Sequence, residues 1–473
     1  MTIGIADIGV YLPRLRLSRE AIASAHAWAM PTLKSRATGS LATANWDEDS
    51  VTMAHEAARR IEGQFDSLHV CSTSLPFADR SHASLLLEAL QQPAGTATQD
   101  SRASLRAATS PLLASLRKAS AGDLLVAAEK RRAKPASIEE ISYGDAAVAV
   151  LTGNDALLAE FVDGDTLATD FVDHYRSTGA DFDYGFEERW IREEGYLKNL
   201  VAVIPALLQR NNIEPDQVAR LVLNSTARIR ASVAKATGLS NAETALAADT
   251  AVGDAGSAAP LLGLAESLEQ AEDGDLILLV GFGQGCDAML LRATGRKTRT
   301  FSDALDAGVD DDNYLRYLSH RELIAMDWGK RAERDVRTAQ SAYYRQRDQV
   351  SGFVGGKCSV CGTVQFPRTR ACVNPECRAF DTQEPYPFAD LTGTVKSYTE
   401  DWQAFSPAPP LVYGNVGFDG GANILMQFTD TDAGETAVGD SVDMHFRIKD
   451  IDRARGFRRY FWKAIKERGA PSG

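Results

Sequence analysis

Ser104–Ala128, SLRAATSPLLASLRKASAGDLLVAA, decides the fold, because its second half returns later in the same chain. Ser115-Leu116-x-x-Ala119-x-x-Gly122-Asp123-Leu124 reappears with identical spacing as Ser267-Leu268-x-x-Ala271-x-x-Gly274-Asp275-Leu276. A Pro-Leu-Leu precedes each copy (Pro111–Leu113, Pro260–Leu262), and an apolar run follows each (Leu124–Ala128, Leu276–Val280). Proline is tolerated in a first helical turn, apolar residues at Leu112, Leu116 and Ala119 follow helical spacing, and a glycine stops the helix before a short buried strand. The unit is helix, tight turn, strand. Two copies so far apart predict a duplicated α/β domain, since solenoid repeats recur every ~20–50 residues.

The 473 residues suffice for two to four domains, and 44% hydrophobic with 8% aromatic content is ordinary for a globular protein. A net charge of −13 disfavours nucleic acid or an anionic membrane as the main partner. The N-terminus MTIGIADIGVYLP lacks a basic segment followed by a long apolar one, and no apolar run is long enough to span a bilayer. Of six cysteines, four cluster at metal-ligand spacing while Cys71 and Cys286 stand alone, so a soluble protein of the reducing cytoplasm is expected.

In the first half, Ile3–Leu12 reads as a strand, Ser18 as a helix N-cap, and Asn45–Ser50 as the entry to a helix carrying His55. His69–Cys71 reads as a buried strand running into a polar turn at Ser72–Ser74. Such strand ends are where α/β folds place chemistry. Residues 170–196, DFVDHYRSTGADFDYGFEERWIREEGY, interleave acids, bases and aromatics without amphipathic order. They form either a solvated loop and helix start or a pocket wall. As a pocket wall, Asp173, His174, Glu188 and Tyr196 supply acid/base groups, with Tyr184 beside them, and Arg189 binds a carboxylate. The turn Gly281–Asp287, with Gly283 and Gly285, permits close backbone approach to a ligand and offers N–H groups for an oxyanion.

Taken together, IADIGVYLP, NWDEDSVTMAHEAAR, STSLPFADR, SLRAATSPL, YGDAAVAVL and VGDAGSAAPLLGLAESLEQAEDGDLILLVGFGQG resemble the thiolase superfamily, specifically its hydroxymethylglutaryl-CoA synthase branch (3-oxoacyl-ACP synthase III-like). The resemblance covers about residues 1–295 and implies a duplicated αβαβα core and a homodimer. It also implies coenzyme A as substrate or product. Against that pattern, the position of the nucleophilic Cys falls on Leu105, that of the Glu acid/base on Thr73, and that of the His on Asn224. The resemblance therefore implies either chemistry moved to other groups, without an acyl-Cys, or a non-catalytic acyl-CoA-binding scaffold for a partner enzyme.

Residues 300–350 turn charged and helical, with a long Arg-rich helix expected from Lys330 to Val350. Cys358-x-x-Cys361 and Cys372-x4-Cys377 then form two knuckles suited to tetrahedral, structural zinc. Residues 391–449 alternate like short strands and predict a small barrel. Ribbon plus barrel resembles the OB-fold domains that accompany thiolase-like enzymes. The tail RARGFRRYFWKAIKER either caps that barrel or holds CoA phosphates.

The expected domains are 1–153 and 154–296 (the two thiolase-like halves), 297–350 (helical arm), 351–385 (zinc ribbon) and 386–473 (OB barrel with basic tail). The expected activity is CoA-dependent acyl transfer, or making or breaking a C–C bond next to a carbonyl. The substrates are an acyl-CoA and a small β-keto or β-hydroxy acid. Asp173, His174, Glu188, Tyr196 and Asn224 are the candidate catalytic groups. Arg189, Tyr184, Thr73, Leu105, Gly283 and Gly285 are the candidate substrate or CoA contacts.

Overall fold

The two copies of the helix-turn-strand unit occupy equivalent places in the two halves of one nine-stranded sheet. In the computed structural model, which describes residues 2–244, 246–332 and 339–466, the chain divides into two compact units. The first holds residues 1–44, 49–84 and 95–321, and the second holds 45–48, 85–94 and 322–473.

In the first unit, nine strands run in the spatial order Val218–Leu223, Leu276–Phe282, Gly285–Ala293, Ala159–Ala168, Gly4–Tyr11, Ala146–Gly153, Asp123–Glu129, Ser67–Cys71, Ala97–Ser101. The halves match pairing by pairing. Ser67–Cys71 runs parallel to Asp123–Glu129 as Val218–Leu223 does to Leu276–Phe282, and two antiparallel pairings follow in each half. They join where Gly4 and Ile5 pair with Glu160 and Ala159. The first half ends on a fifth strand, Ala97–Ser101, parallel to Ser67–Cys71. In the second half that strand survives as one parallel bridge, Arg220 to Glu243.

The repeat helices Thr109–Arg117 and Ala259–Gln270 share one apolar core, and each packs on strands of the opposite half. Outside them lie Ser50–Ala58 on the first half and Lys198–Arg210 on the second. This makes the helix-sheet-helix-sheet-helix layering that the resemblance implies. Local signals hold at the caps: the Ser18 hydroxyl accepts from the Ala21 N–H at 3.1 Å, and Asp49 with Thr52 forms a reciprocal capping box on Ser50–Ala58.

The segment 170–196 is neither a plain loop nor a simple helix start. His174–Tyr175 pairs with Tyr184–Gly185 as a hairpin, and a short helix Glu188–Trp190 widens into a π-helical stretch, Ile191–Leu197, before Lys198–Arg210. Gly195 is required there, since a Cβ would come within 2.6 Å of the Phe171 ring. Of the long helix expected over 330–350, the described residues show a 3₁₀ turn, Gly329–Ala332, and two short helices, Gln340–Arg345 and Arg347–Val350, with residues 333–338 outside the described ones.

In the second unit, Val354–Cys358, Val364–Gln365 and Gln383–Pro387 form the ribbon sheet. Five antiparallel strands follow in the order Asn423–Gln427, Leu411–Gly417, Gly393–Asp401, Ser441–Asp452, Phe457–Lys466. A parallel bridge from Phe428 to Ala464 closes them into a barrel. The basic tail is thus largely the last barrel strand, with residues 467 and 468 outside the described ones. Lys463 is buried within the same unit against Asp47, Nζ to carboxylate 2.8 Å. Among the described residues, no helix is long and apolar enough to cross a membrane.

Candidate active site

Four strands of the first unit direct their carboxyl ends at one place: Ser67–Cys71, Asp123–Glu129, Val218–Leu223 and Leu276–Phe282. The residues just beyond them are Thr73, Glu129 with Arg131, Asn224, and Gly283. Carboxyl ends of parallel strands are the usual position for α/β chemistry, because loops there vary without disturbing the sheet.

Asp254 organises the centre. Asn224 Nδ2 donates to its Oδ1 at 2.8 Å, the Gly256 N–H to the same oxygen at 2.9 Å, and Arg131 pairs with its Oδ2 at 2.7 Å. A carboxylate only accepts, so the amide nitrogen of Asn224 faces Asp254 and the amide oxygen is presented away from it. Burial opposes the charge on Asp254, but Arg131, with the hydrogen bonds, outweighs it and holds the carboxyl below its usual range. The Arg131 guanidinium lies 3.6 Å from the centroid of the Tyr143 ring. Tyr143 donates to Asp183 at 2.9 Å, and Arg176 pairs with Asp183 at 2.8 Å while donating to the Thr73 carbonyl. Asp183 and Arg176 flank the turn of the 174–185 hairpin, which is thereby fastened to the end of the strand Ser67–Cys71.

His174 and Tyr196 belong to the same constellation. His174 Nδ1 meets Asp173 Oδ2 at 2.8 Å. Burial lowers the imidazole pKa, but the hydrogen bond and charge of Asp173 outweigh it, so the ring holds its proton to higher pH than usual. Tyr196 donates to the Asn224 carbonyl at 3.3 Å and stacks on Phe282, centroids 3.8 Å apart. Burial, then the charges of Asp173 and Asp254, push its pKa far up, so it is a proton donor and not a phenolate.

Thr73 sits over a fully buried carboxylate. Glu129 accepts from the Thr73 N–H at 2.7 Å, from Ser74 Oγ at 2.5 Å and from Ser257 Oγ at 2.6 Å. With its lone pairs engaged, Glu129 ties the end of one strand to the start of the helix Ala259–Gln270.

Leu105 lies in the turn before Thr109–Arg117, against Gly283: a Cβ at Gly283 would be 3.1 Å from the Leu105 nitrogen. The turn is held by Asp287, which accepts from Arg106 at 2.9 Å, Thr109 at 2.8 Å and Ser110 at 2.7 Å. Gly285, at φ +109°, is fixed as glycine because a Cβ would fall 2.0 Å from the Leu167 carbonyl oxygen. The Gly283 N–H donates to the Gly285 carbonyl at 3.0 Å, so this amide is committed within the turn and is not presented to an oxyanion.

Three sequence candidates are placed apart from this constellation. Glu188 is 48% exposed and faces Arg36 at 3.7 Å. Arg189 is 72% exposed and pairs with Glu193 one helical turn on. Tyr184 is exposed and packs on Tyr175 and Phe186. Conversely, Arg131, Tyr143, Asp183 and Asp254 lay unread in the sequence. For Tyr143 and Asp254 a signal was present: Tyr143-Gly144-Asp145-Ala146 and Val252-Gly253-Asp254-Ala255 echo each other, and they pair in space through a parallel bridge from Tyr143 to Asp254.

Neither core cysteine offers a thiolate. Cys71 is buried with its pKa pushed up by burial and by Asp100 and Glu129, and burial with Asp287 pushes Cys286 up to about 12. The other four converge, their Sγ atoms all within 4.8 Å of one another. Cys358–Cys377 and Cys361–Cys372 are 3.9 and 3.6 Å apart. A tetrahedron of Zn–S bonds near 2.3 Å has S···S edges of about 3.8 Å, so the set fits structural zinc with no open ligand position.

Residues 208–293 match the C-terminal model of 3-oxoacyl-[acyl-carrier-protein] synthase III. Residues 349–383 match the rubredoxin-like zinc ribbon of ChsH2, and residues 386–447 match its C-terminal OB-fold domain. The hydroxymethylglutaryl-CoA synthase of Caldivirga maquilingensis is 27% identical over 354 residues, covering 70% of this chain and all of that protein. That of Methanosarcina mazei is 26% identical over 351 residues, covering 69% and 100%. Among solved structures, MvaS in complex with 3-hydroxy-3-methylglutaryl coenzyme A superposes with TM-score 0.57 at 18% identity, covering 68% of this chain and 92% of that one. FabH from Pseudomonas aeruginosa PAO1 gives 0.55 at 20%, covering 62% and 99%. Over about two thirds of its length the chain is thus similar to hydroxymethylglutaryl-CoA synthases and shares their fold, and beyond that it carries segments that match the zinc ribbon and OB-fold models of ChsH2.

Proposed function

We propose that this enzyme makes or breaks a C–C bond next to the carbonyl of a β-keto or β-hydroxy acyl-CoA, by a retro-Claisen, retro-aldol or acyl-transfer route, without an acyl-Cys intermediate. The observation that carries this reading is the joined set Tyr196–Asn224–Asp254–Arg131 with Asp173–His174, at the strand ends where the superfamily's catalytic residues fall. Tyr196, kept protonated, turns its hydroxyl from the Asn224 carbonyl to a substrate oxygen, and His174, oriented by Asp173, moves the proton that bond cleavage or formation requires. Asn224 presents its amide oxygen to a hydroxyl or an enol, and Thr73 and Leu105 line the acyl path. Both core thiols are buried, which supports chemistry without a covalent thioester.

The committed Gly283 amide and the leucine at position 105 favour one second reading, an inactive acyl-CoA-binding scaffold for a partner enzyme. Incubating the pure protein with a panel of β-keto and β-hydroxy acids and their CoA esters, with and without CoA and acetyl-CoA, separates the two. A new, shorter acyl-CoA supports the enzyme; CoA binding with an untouched panel supports the scaffold.

The exposed, unpaired rim of strand Ala97–Ser101 supports a homodimer, to be checked by light scattering. Six unpaired cysteines, four of them as a zinc set, support a cytoplasmic location.

A further inference from the structure

Aldol-type chemistry beside a thioester moves two protons, one at the carbon next to the thioester carbonyl and one at the oxygen of the second carbonyl. Tyr196 and His174 suit the oxygen; the carbon needs a base of its own. Glu129 is fully buried at the end of the strand Asp123–Glu129, and its partners among the described residues are N–H and hydroxyl groups. Asp254 and Asp183 each face an arginine instead, and Arg131, whose charge also reaches Glu129, has its short contact with Asp254.

The two oxygens of Glu129 differ. Oε1 accepts the N–H of Thr73 at 2.7 Å and of Ser257 at 3.4 Å, with the Ser257 and Thr73 hydroxyls at 2.6 and 3.0 Å. Oε2 meets hydroxyls alone, those of Ser74 at 2.5 Å, Thr73 at 3.1 Å and Ser72 at 3.4 Å. An N–H only donates, whereas a hydroxyl donates or accepts. Oε2 can therefore take up a proton and stay hydrogen-bonded, by reversing one of these bonds.

One of the hydroxyls has room for a substrate. Ser72 and Ser257 are fully buried, and Ser74 Oγ also accepts from the Lys130 N–H at 2.9 Å. Thr73 is half-buried, and among the described residues Glu129 is the single partner of its Oγ1. With its one proton directed at Glu129, that oxygen keeps its lone pairs for a proton from elsewhere. Arg176 holds the Thr73 carbonyl beneath the hairpin that carries His174.

We propose that Thr73 and Glu129 form a proton relay for the carbon next to the thioester carbonyl. As the C–H bond breaks, Thr73 Oγ1 takes that proton and passes its own along the existing hydrogen bond to Glu129 Oε2. The C–H electron pair stays on the substrate as the thioester enolate. In the cleaving direction the steps run backwards and return the proton to the carbon. Thr73 is the catalytic residue; Glu129 orients its hydroxyl and receives its proton. The relay rests on the CoA-thioester reading above and supplies the base that this reading lacks.

The test is deuterium uptake by the acetyl group of acetyl-CoA in D2O with the full-length protein, read by mass, beside calorimetric titration with CoA and acetyl-CoA. Wild type is expected to catalyse uptake, and Thr73→Val and Glu129→Gln each to slow it about 10²–10⁴-fold. Thr73→Ser, which puts the hydroxyl back, is expected to restore it to within about tenfold. The double variant Thr73→Val with Glu129→Gln should be no slower than either alone, because both break one relay. A merely structural acceptor would tolerate Gln, whose amide meets the same hydroxyls, and denaturant unfolding shows which variants have folded. If Glu129→Gln does not fold, the Thr73 pair decides. Uptake that survives Thr73→Val, or that Thr73→Ser fails to restore, overturns the relay and leaves the CoA reading intact. Binding of acetyl-CoA without uptake does the same. Failure to bind either CoA or acetyl-CoA overturns the CoA reading, and the relay with it.

Discussion

The stretch 170–196 has two faces made of the same residue types, and they differ in what surrounds them. On one, Asp173, His174, Asp183 and Tyr196 lie among Arg131, Asn224 and Asp254, buried or half-buried and joined by hydrogen bonds of 2.7–3.3 Å. On the other, Tyr184, Glu188 and Arg189 face solvent, with Glu188 and Arg189 in open ion pairs. Charge in water is screened and costs little to leave or move, whereas charge under the hairpin needs a partner. Chemistry follows the second setting, where burial and charged neighbours act on the same groups and raise the proton affinities of His174 and Tyr196.

The largest way to break this contrast is Asp254→Ala. It strands the buried Arg131 guanidinium and leaves the Asn224 amide unheld, so a loss of about 3–5 kcal/mol is expected in denaturant unfolding of the full chain. A loss below 1 kcal/mol would mean that the pair is solvated. Next is Tyr196→Phe, which removes one hydroxyl and keeps the ring stack on Phe282. Turnover should fall about 10²–10⁴-fold with CoA binding retained. Unchanged turnover would remove Tyr196 from the chemistry.

His174→Gln is expected to cost about 1 kcal/mol at pH 6. The imidazole pKa is raised by Asp173, so its stabilising contribution is full below the ordinary value near 6.5 and is lost as pH rises through the raised value. The difference between wild type and variant should therefore shrink toward pH 9. A difference that grows with pH would show that the ring is buried neutral. Smallest are Glu188→Gln and Arg189→Ala, each expected within about 0.5 kcal/mol of wild type in stability and without effect on turnover. A large effect of either would bring the outer face into the site.

The duplicated core was legible because its signals are local: the Pro-Leu-Leu, the helical spacing and the Gly-Asp stop recur in the same order at 111–124 and 260–276. The zinc knuckles were legible because the ligands lie in short, spaced pairs. The centre of the site was only half legible. Asp173, His174, Tyr196, Asn224 and Thr73 stand on elements whose ends the sequence marks. Arg131 and Asp254, by contrast, meet across 123 residues through the packing of one half on the other, which no periodicity encodes. The outer residues Tyr184, Glu188 and Arg189 drew notice for composition alone, and composition does not tell which side of a hairpin is covered. The Arg-rich arm shows the same limit: good helix formers between Gln340 and Val350 give two short turns instead of one long helix.

The most direct measurement is to follow CoA species and the intact protein mass together, after mixing the full-length protein with a β-keto or β-hydroxy acyl-CoA. The expected result is a shortened acyl-CoA accumulating with catalytic turnover while the protein mass stays unmodified. An acyl adduct on the protein that forms and decays at the rate of turnover would contradict chemistry without a cysteine nucleophile.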